Sequence, residues 1–214
     1  MHLHTSYSFD SLSDPEAVLE TALERGIDRI CVTDHNEIEG ALALKALYPD
    51  RVIVGEEVKT AEGIDIIGLY LSEVIPKGTP ARACCEQIKE QGGLVYVPHP
   101  FAGGKGGGGR ILPEIVDLVD IVEGFNARIH FQRLNEAAVA WAEMHQLAIG
   151  AGSDAHTLRE VGRAYVELPD FEDGPAGLLA ALDEGRIEGR LSSWGVHLGS
   201  TFAKIRKRFG YRGK

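Results

Sequence analysis

The chain has 214 residues, 44% of them hydrophobic and 25% charged, with a formal charge of −10. These values allow one sizeable domain and exclude a disordered tail, a collagen-like fibre and a disulfide-knotted miniprotein. The acidity argues against broad affinity for nucleic acid or anionic membrane, and no run approaches the roughly 18 apolar residues of a membrane span.

Strands are predicted at the short apolar, β-branched runs Met1–His4, Arg29–Thr33, Arg51–Glu56, Asp65–Leu71, Leu94–Pro98, Asp120–Phe125, Leu147–Gly152 and Arg163–Leu168. The first helix opens on a Ser13–Glu16 capping box with Pro15 in its first turn and closes at Gly26. A second opens at Thr79-Pro80 and closes at Gly92-Gly93, and His130–Gln146 read as a third. Strands alternating with helices imply parallel pairing in an α/β fold. Both an irregular barrel and an open doubly wound sheet satisfy that pattern. Residues 203–214 carry six Lys/Arg and no acid, which leaves −16 over the rest. This basic end reads as a short amphipathic helix whose Phe202, Ile205 and Phe209 pack on the domain with its charges in solvent; the alternative is a helix that guides an oligonucleotide or touches a membrane surface. We expect a domain over 1–185, with an associated region from about 94, followed by this tail over 186–214. MHLHTSYSFD has no signal-peptide pattern. Cys31, Cys84 and Cys85 have no disulfide or metal spacing, so a cytoplasmic protein with reduced thiols is expected.

The polar residues are unevenly placed. His2 and His4 share one face of a strand. His35, Glu56-Glu57, His99 and the pair Asp154 and His156 each stand at or just past the end of an apolar run. Carboxyl ends of parallel strands are where α/β active sites gather, so five of the eight histidines are expected on one rim. A single histidine there is more often a structural hydrogen-bonder. The paired HxH and DxH, with carboxylates and no thiolate, instead point to two or more divalent ions of the Mn, Zn or Fe type, a set suited to displacement at phosphorus.

In order along the chain, HLHTSYSFD, TDHN, GEEV, VPHP and GSDAH resemble the motifs of the polymerase and histidinol phosphatase (PHP) superfamily, most closely its small standalone metal-dependent phosphoesterases. The resemblance spans roughly residues 1–170 and implies a distorted seven-stranded (β/α) TIM-like barrel. It also implies up to three metals. His2, His4, Glu57 and Asp154 would hold the first, Glu57 and His99 the second, and Asp10, His35 and His156 the third. Where many members have a histidine before the next strand's Ile-hydrophobic-Gly, this chain has Asp65, which either ligates the second metal or only accepts hydrogen bonds around it.

On the substrate side, Asn126 and Arg128 follow the DIVEGF strand and share a face, with Arg the bidentate reader of phosphate. The alternatives are a salt bridge for Arg128 and a loop hydrogen bond for Asn126. The run GGKGGGGR places Lys105 and Arg110 after His99, either as a lid over an anion or as a plain connector. No Ser-His-Asp or Cys-His nucleophile is evident. The expected activity is hydrolysis of a phosphomonoester or nucleotide-like substrate by metal-activated hydroxide, with His35, Asp154 and Arg128 as catalytic residues. The alternatives are an exonuclease on short oligonucleotides and a non-catalytic metal-binding regulatory module. The expected partner is a small phosphorylated substrate or short oligonucleotide, without stable binding to double-stranded nucleic acid.

Overall fold

The computed structural model describes residues 1–102, 108–193 and 195–210, so Lys105 lies outside the described residues. Six strands form one sheet in sequence order: β1 (Ile30–Val32), β2 (Val52–Lys59), β3 (Asp65–Leu69), β4 (Leu94–Val97), β5 (Ile121–Asn126) and β6 (Ala148–Gly152). The sheet curls into a half-barrel. A separate hairpin pairs β7 (Ala164–Glu167) with β8 (Arg186–Gly189). The helices are α1 (Pro15–Glu24), α2 (Glu39–Leu47), α3 (Ala81–Glu90), α4 (Leu112–Ile115), α5 (Gln132–His145), α6 (Pro175–Asp183) and α7 (Val196–Arg208).

The central strands β2 and β4 are buried on both faces, and the apolar runs VIV and LVYV within them suit that position. One core joins the sheet to Val18, Leu19, Leu44 and Ile88 of α1, α2 and α3. On the opposite face Cys31, Ile53, Ile67 and Tyr96 pack with Leu178 and Leu182 of α6. All three cysteines are buried and free. Among the described residues no helix is long and apolar enough to cross a membrane.

Several expectations need correction. β3 runs antiparallel to both neighbours. Only five residues separate it from β2, while a parallel crossover needs a dozen or more. Among the described residues the sheet has six strands and the full seven-stranded barrel is not seen. Met1–His4 is not a strand and makes a single bridge, Leu3 to Ala155, while the Arg163–Leu168 run leaves the sheet for the hairpin. The N-terminal segment nevertheless spans the sheet's two edge strands. Thr33 N–H donates to Leu3 O at 3.0 Å beyond β1, and Asp154 N–H to His2 O at 2.8 Å beyond β6. The α1 cap is Asp14, whose carboxylate accepts from Glu16 and Ala17 N–H, and Ser13 instead donates to His156 O.

The basic tail also differs from expectation. β8 lies within it, and α7 turns Ser200 and Ala203 inward while Phe202, Ile205 and Phe209 face solvent. The inward face is held by polar contacts, Lys207 Nζ donating to the carbonyls of Ser6 and Ser8. A helical period defines an apolar stripe but does not say which side meets the domain.

Candidate metal centre

The reversal of β3 places its first residue, Asp65, opposite Lys59 near the end of β2, so an amino-terminal strand end joins a rim otherwise built from carboxyl ends. Along β2, alternation sends Glu57 to the cavity and Glu56 to the other face. There Glu56 is fully buried and accepts from Ile75 N–H at 2.8 Å. His35 pairs beside Glu57 through an isolated bridge. His99 and Asp154, both just beyond their strands, take positive φ values of 29° and 49°. Such backbone is uncommon for non-glycine residues and concentrates at functional sites.

These residues meet in one cavity of about 570 Å³, lined by Asp10, His35, Glu57, Asp65, His99, Asp154 and His156. His2 and His4 are buried behind Glu57, in contact with its carboxylate. Glu57 is central: its Oε2 lies 3.3 Å from both His2 and His4 Nε2 and 3.1 Å from His35 Nδ1, and its Oε1 lies 3.3 Å from His99 Nε2. Asp154 Oδ1 is 3.3 Å from His4 Nε2. Asp10 Oδ2 is 3.3 Å from His156 Nε2 and 3.6 Å from His35 Nε2, while its buried Oδ1 has no partner. Three sets offer ligand atoms within 4.8 Å of one another: His2, His4 and Asp154; His2, Glu57 and His99; and His4, His35 and His156. Asp65 lines the cavity but belongs to none of these sets and pairs with Lys59 Nζ at 2.9 Å.

Neighbouring groups aim the imidazoles. His2 Nδ1 lies 3.0 Å from Glu123 Oε1, His4 Nδ1 3.1 Å from Ser8 Oγ and His156 Nδ1 2.9 Å from Asp154 O. For His2 and His4 this leaves Nε2 turned to the cavity, the arrangement that fixes a ligating tautomer, whereas His156 Nδ1 lies against both Asp154 O and the Arg128 guanidinium. Asp34 pins the Thr5–Ser8 turn by accepting from the N–H and hydroxyl of both residues. Burial disfavours charge on His4, and with His156 and His35 nearby it is held down at about 3, a neutral donor. Burial also opposes charge on His35 and His99, but adjacent carboxylates, chiefly Glu57, outweigh it and raise each to about 9. The carboxylates thus create a field that draws positive charge. Imidazole and carboxylate donors around an unpartnered Asp10 oxygen fit divalent cations of the Mn, Zn or Fe type.

Glu123 was not anticipated as part of the site. It is wholly buried, holds His2, and accepts from His99 N–H and Asn126 Nδ2, each at 2.8 Å. An acid inside the apolar run DIVEGF was the available signal. Asn126 is fully buried; its Nδ2 also reaches Asp154 Oδ2 at 3.3 Å, and its Oδ1 accepts from Arg128 N–H. Arg128, 7% exposed, directs its guanidinium at Asp154 O, His156, His197 and Ser200, with Glu160 3.3 Å from its Nε. Both residues are therefore committed to neighbouring protein groups. Arg110 is exposed on the turn Gly108–Arg110 and does not line the cavity.

The family model described as PHP domain matches residues 1–97, and that described as PHP-associated matches residues 132–187. An uncharacterized protein of Methanocaldococcus jannaschii is 42% identical over 141 residues, covering 59% of this chain and 80% of that protein. Among solved structures, PsfC from Pseudomonas syringae superposes with a TM-score of 0.68 at 18% identity, over 98% of this chain and 96% of its own. A candidate metal-dependent phosphoesterase from Bifidobacterium adolescentis does so with a TM-score of 0.61 at 14% identity, over 86% and 95%.

Proposed function

Because this chain belongs to the PHP-domain family, we propose that it is a metal-dependent phosphoesterase acting on a phosphomonoester or nucleotide-like substrate. The observation that carries the reading is the convergence of three ligand sets on one cavity, with Glu57 in contact with four imidazoles. His2, His4, Glu57 and Asp154 would hold a first ion, and Glu57 and His99 a second with Asp65 at its edge. Asp10, His35 and His156 would hold a third. Such ions supply Lewis acidity, acidifying water and offsetting charge on the phosphoryl oxygens.

The chain's own groups do the positioning. Glu123 orients His2 and, through the His99 N–H, the strained turn after β4. Asn126 ties Glu123 of β5 to Asp154 just beyond β6, so one amide links the two carboxylates. Arg128 braces the backbone of Asp154 and the ring of His156, and acts on substrate through them. The three buried free thiols fit a reducing compartment, the cytoplasm.

The test is metal-stripped protein reloaded with Mn²⁺ and offered phosphomonoesters, nucleoside bisphosphates and short oligonucleotides. Release of phosphate or nucleotide is expected, and its loss in His35→Ala and Asp154→Ala with the fold retained. Normal turnover in either variant at unchanged metal content would refute the assignment. Oligonucleotides cleaved while every monoester is spared would make it a nuclease.

A further inference from the structure

Three side chains of α7 enter the cavity wall: His197, Ser200 and Lys204, spaced i, i+3 and i+7 and so on one helical face. Neither family model reaches this helix. Among the described lining residues the Lys and Arg side chains are Arg128, Arg133 and Lys204. Arg128 is buried and directed at protein acceptors, with Ser200 Oγ and His197 Nδ1 taking its Nη2 at 3.1 and 3.3 Å. Arg133 stacks its guanidinium over Phe131, 5.1 Å from the ring centre. Lys204 differs from both. Its Nζ lies 3.5 Å from Asp10 Oδ2 and 5.1 Å above the Phe9 ring, with the side chain half exposed.

An ammonium has three N–H donors. Asp10 meets one of them and divides its own charge with His35 and His156. Lys204 lines the cavity beside Asp10, His35 and His156, the set that would hold the third ion, so its other donors are available to a ligand there. The Phe9 ring faces the ammonium itself, a cation–π contact at the cavity edge.

We propose that Lys204 is the anion-reading residue of this site, binding a non-bridging phosphoryl oxygen of the substrate. It would thereby favour the doubly charged phosphomonoester over a singly charged diester. The proposal rests on the phosphoesterase reading for its substrate, but its binding arm does not need turnover.

The experiment compares Mn²⁺-loaded wild type with Lys204→Gln and Lys204→Arg. It uses calorimetric titration with inorganic phosphate, kcat/KM on 4-nitrophenyl phosphate and on bis(4-nitrophenyl) phosphate, and elemental analysis of bound metal. In Lys204→Gln the Kd for phosphate should rise about tenfold, and the monoester-to-diester ratio of kcat/KM should fall about tenfold, as loss of one charge-assisted hydrogen bond predicts. Metal content should stay constant and Lys204→Arg should recover most of both losses. Unchanged phosphate affinity in Lys204→Gln, or no phosphate binding by wild type, overturns the proposal. So does a loss of affinity that follows a loss of metal, since Lys204 would then act only by holding Asp10. If wild type turns over neither ester yet binds phosphate through Lys204, the phosphoesterase reading fails and this one stands.

Discussion

Replacing Glu56 by glutamine should make the protein more stable at pH 8 and leave it nearly unchanged at pH 4. Glu56 is fully buried on the face of β2 away from the metal centre. One carboxylate oxygen accepts from Ile75 N–H and the other has no partner. Burial pushes its carboxyl up to about 7 from an ordinary 4.5. Between these values the folded chain keeps a proton that the unfolded chain has released, so stability falls as pH rises through that window and levels off above about 7. At about 1.4 kcal/mol per pH unit, the buried charge costs roughly 3 kcal/mol at pH 8 relative to pH 4. Glutamine keeps an oxygen for Ile75 and cannot ionise. Urea unfolding of both proteins at pH 4.5, 6, 7 and 8, in one buffer series, isolates the effect, because every other titrating group cancels in the difference. The stability gap should open from near zero to roughly 3 kcal/mol in favour of the variant. A gap that is constant with pH, or a variant weaker than wild type at pH 8, would refute the reasoning.

Three further outcomes are expected at the centre. Glu123→Ala removes the acceptor of His2 Nδ1 and of His99 N–H; affinity for Mn²⁺, measured by titration calorimetry, should drop about 10- to 100-fold, and wild-type affinity would show that the carboxylate does not tune the site. Arg128→Ala leaves Glu160 buried without its cation and should destabilise the fold by about 3–5 kcal/mol. Removing Glu160 as well should restore much of that loss, whereas additive losses in the double variant would deny the coupling. Gly152→Ala puts a Cβ into Glu123 Oε1 and the His2 Cβ. A thermal melt should register about 1–3 kcal/mol of strain, and Mn²⁺ binding should weaken with it.

Strands β1 to β6 were legible in the sequence because a sheet buried on both faces favours apolar segments, whereas Met1–His4 reads as a strand but makes one bridge and β8 carries no such run. Direction was harder to read. Apolar runs are alike forwards and backwards, and the reversal of β3 was written only in the five-residue gap between Lys59 and Asp65. The ligand residues stood out because imidazoles and acids are conspicuous at the ends of such runs. Glu123 was overlooked because it lies inside a run, where an acid needs a partner that only the fold reveals. Arg128 and Asn126 carry the right chemistry to meet phosphate, yet Glu160 and Ser200 from elsewhere in the fold occupy Arg128, and Glu123 on the same strand occupies Asn126. For α7, composition showed an amphipathic helix, but its polar face proved to be the inner one because the wall it completes is itself polar.

The bridge from Leu3 to Ala155 has a consequence for the order of events during folding. It ties the first ligands of the chain to the last, and His2 meets Glu123 across 121 positions. A growing chain therefore has no complete centre until residue 156 is available, and closing so long a loop belongs late on the folding path. Contacts made after the rate-limiting barrier govern unfolding more than folding. Divalent ions bound at this seam should act as a latch, slowing the opening of the finished molecule while leaving the speed of its first collapse almost untouched.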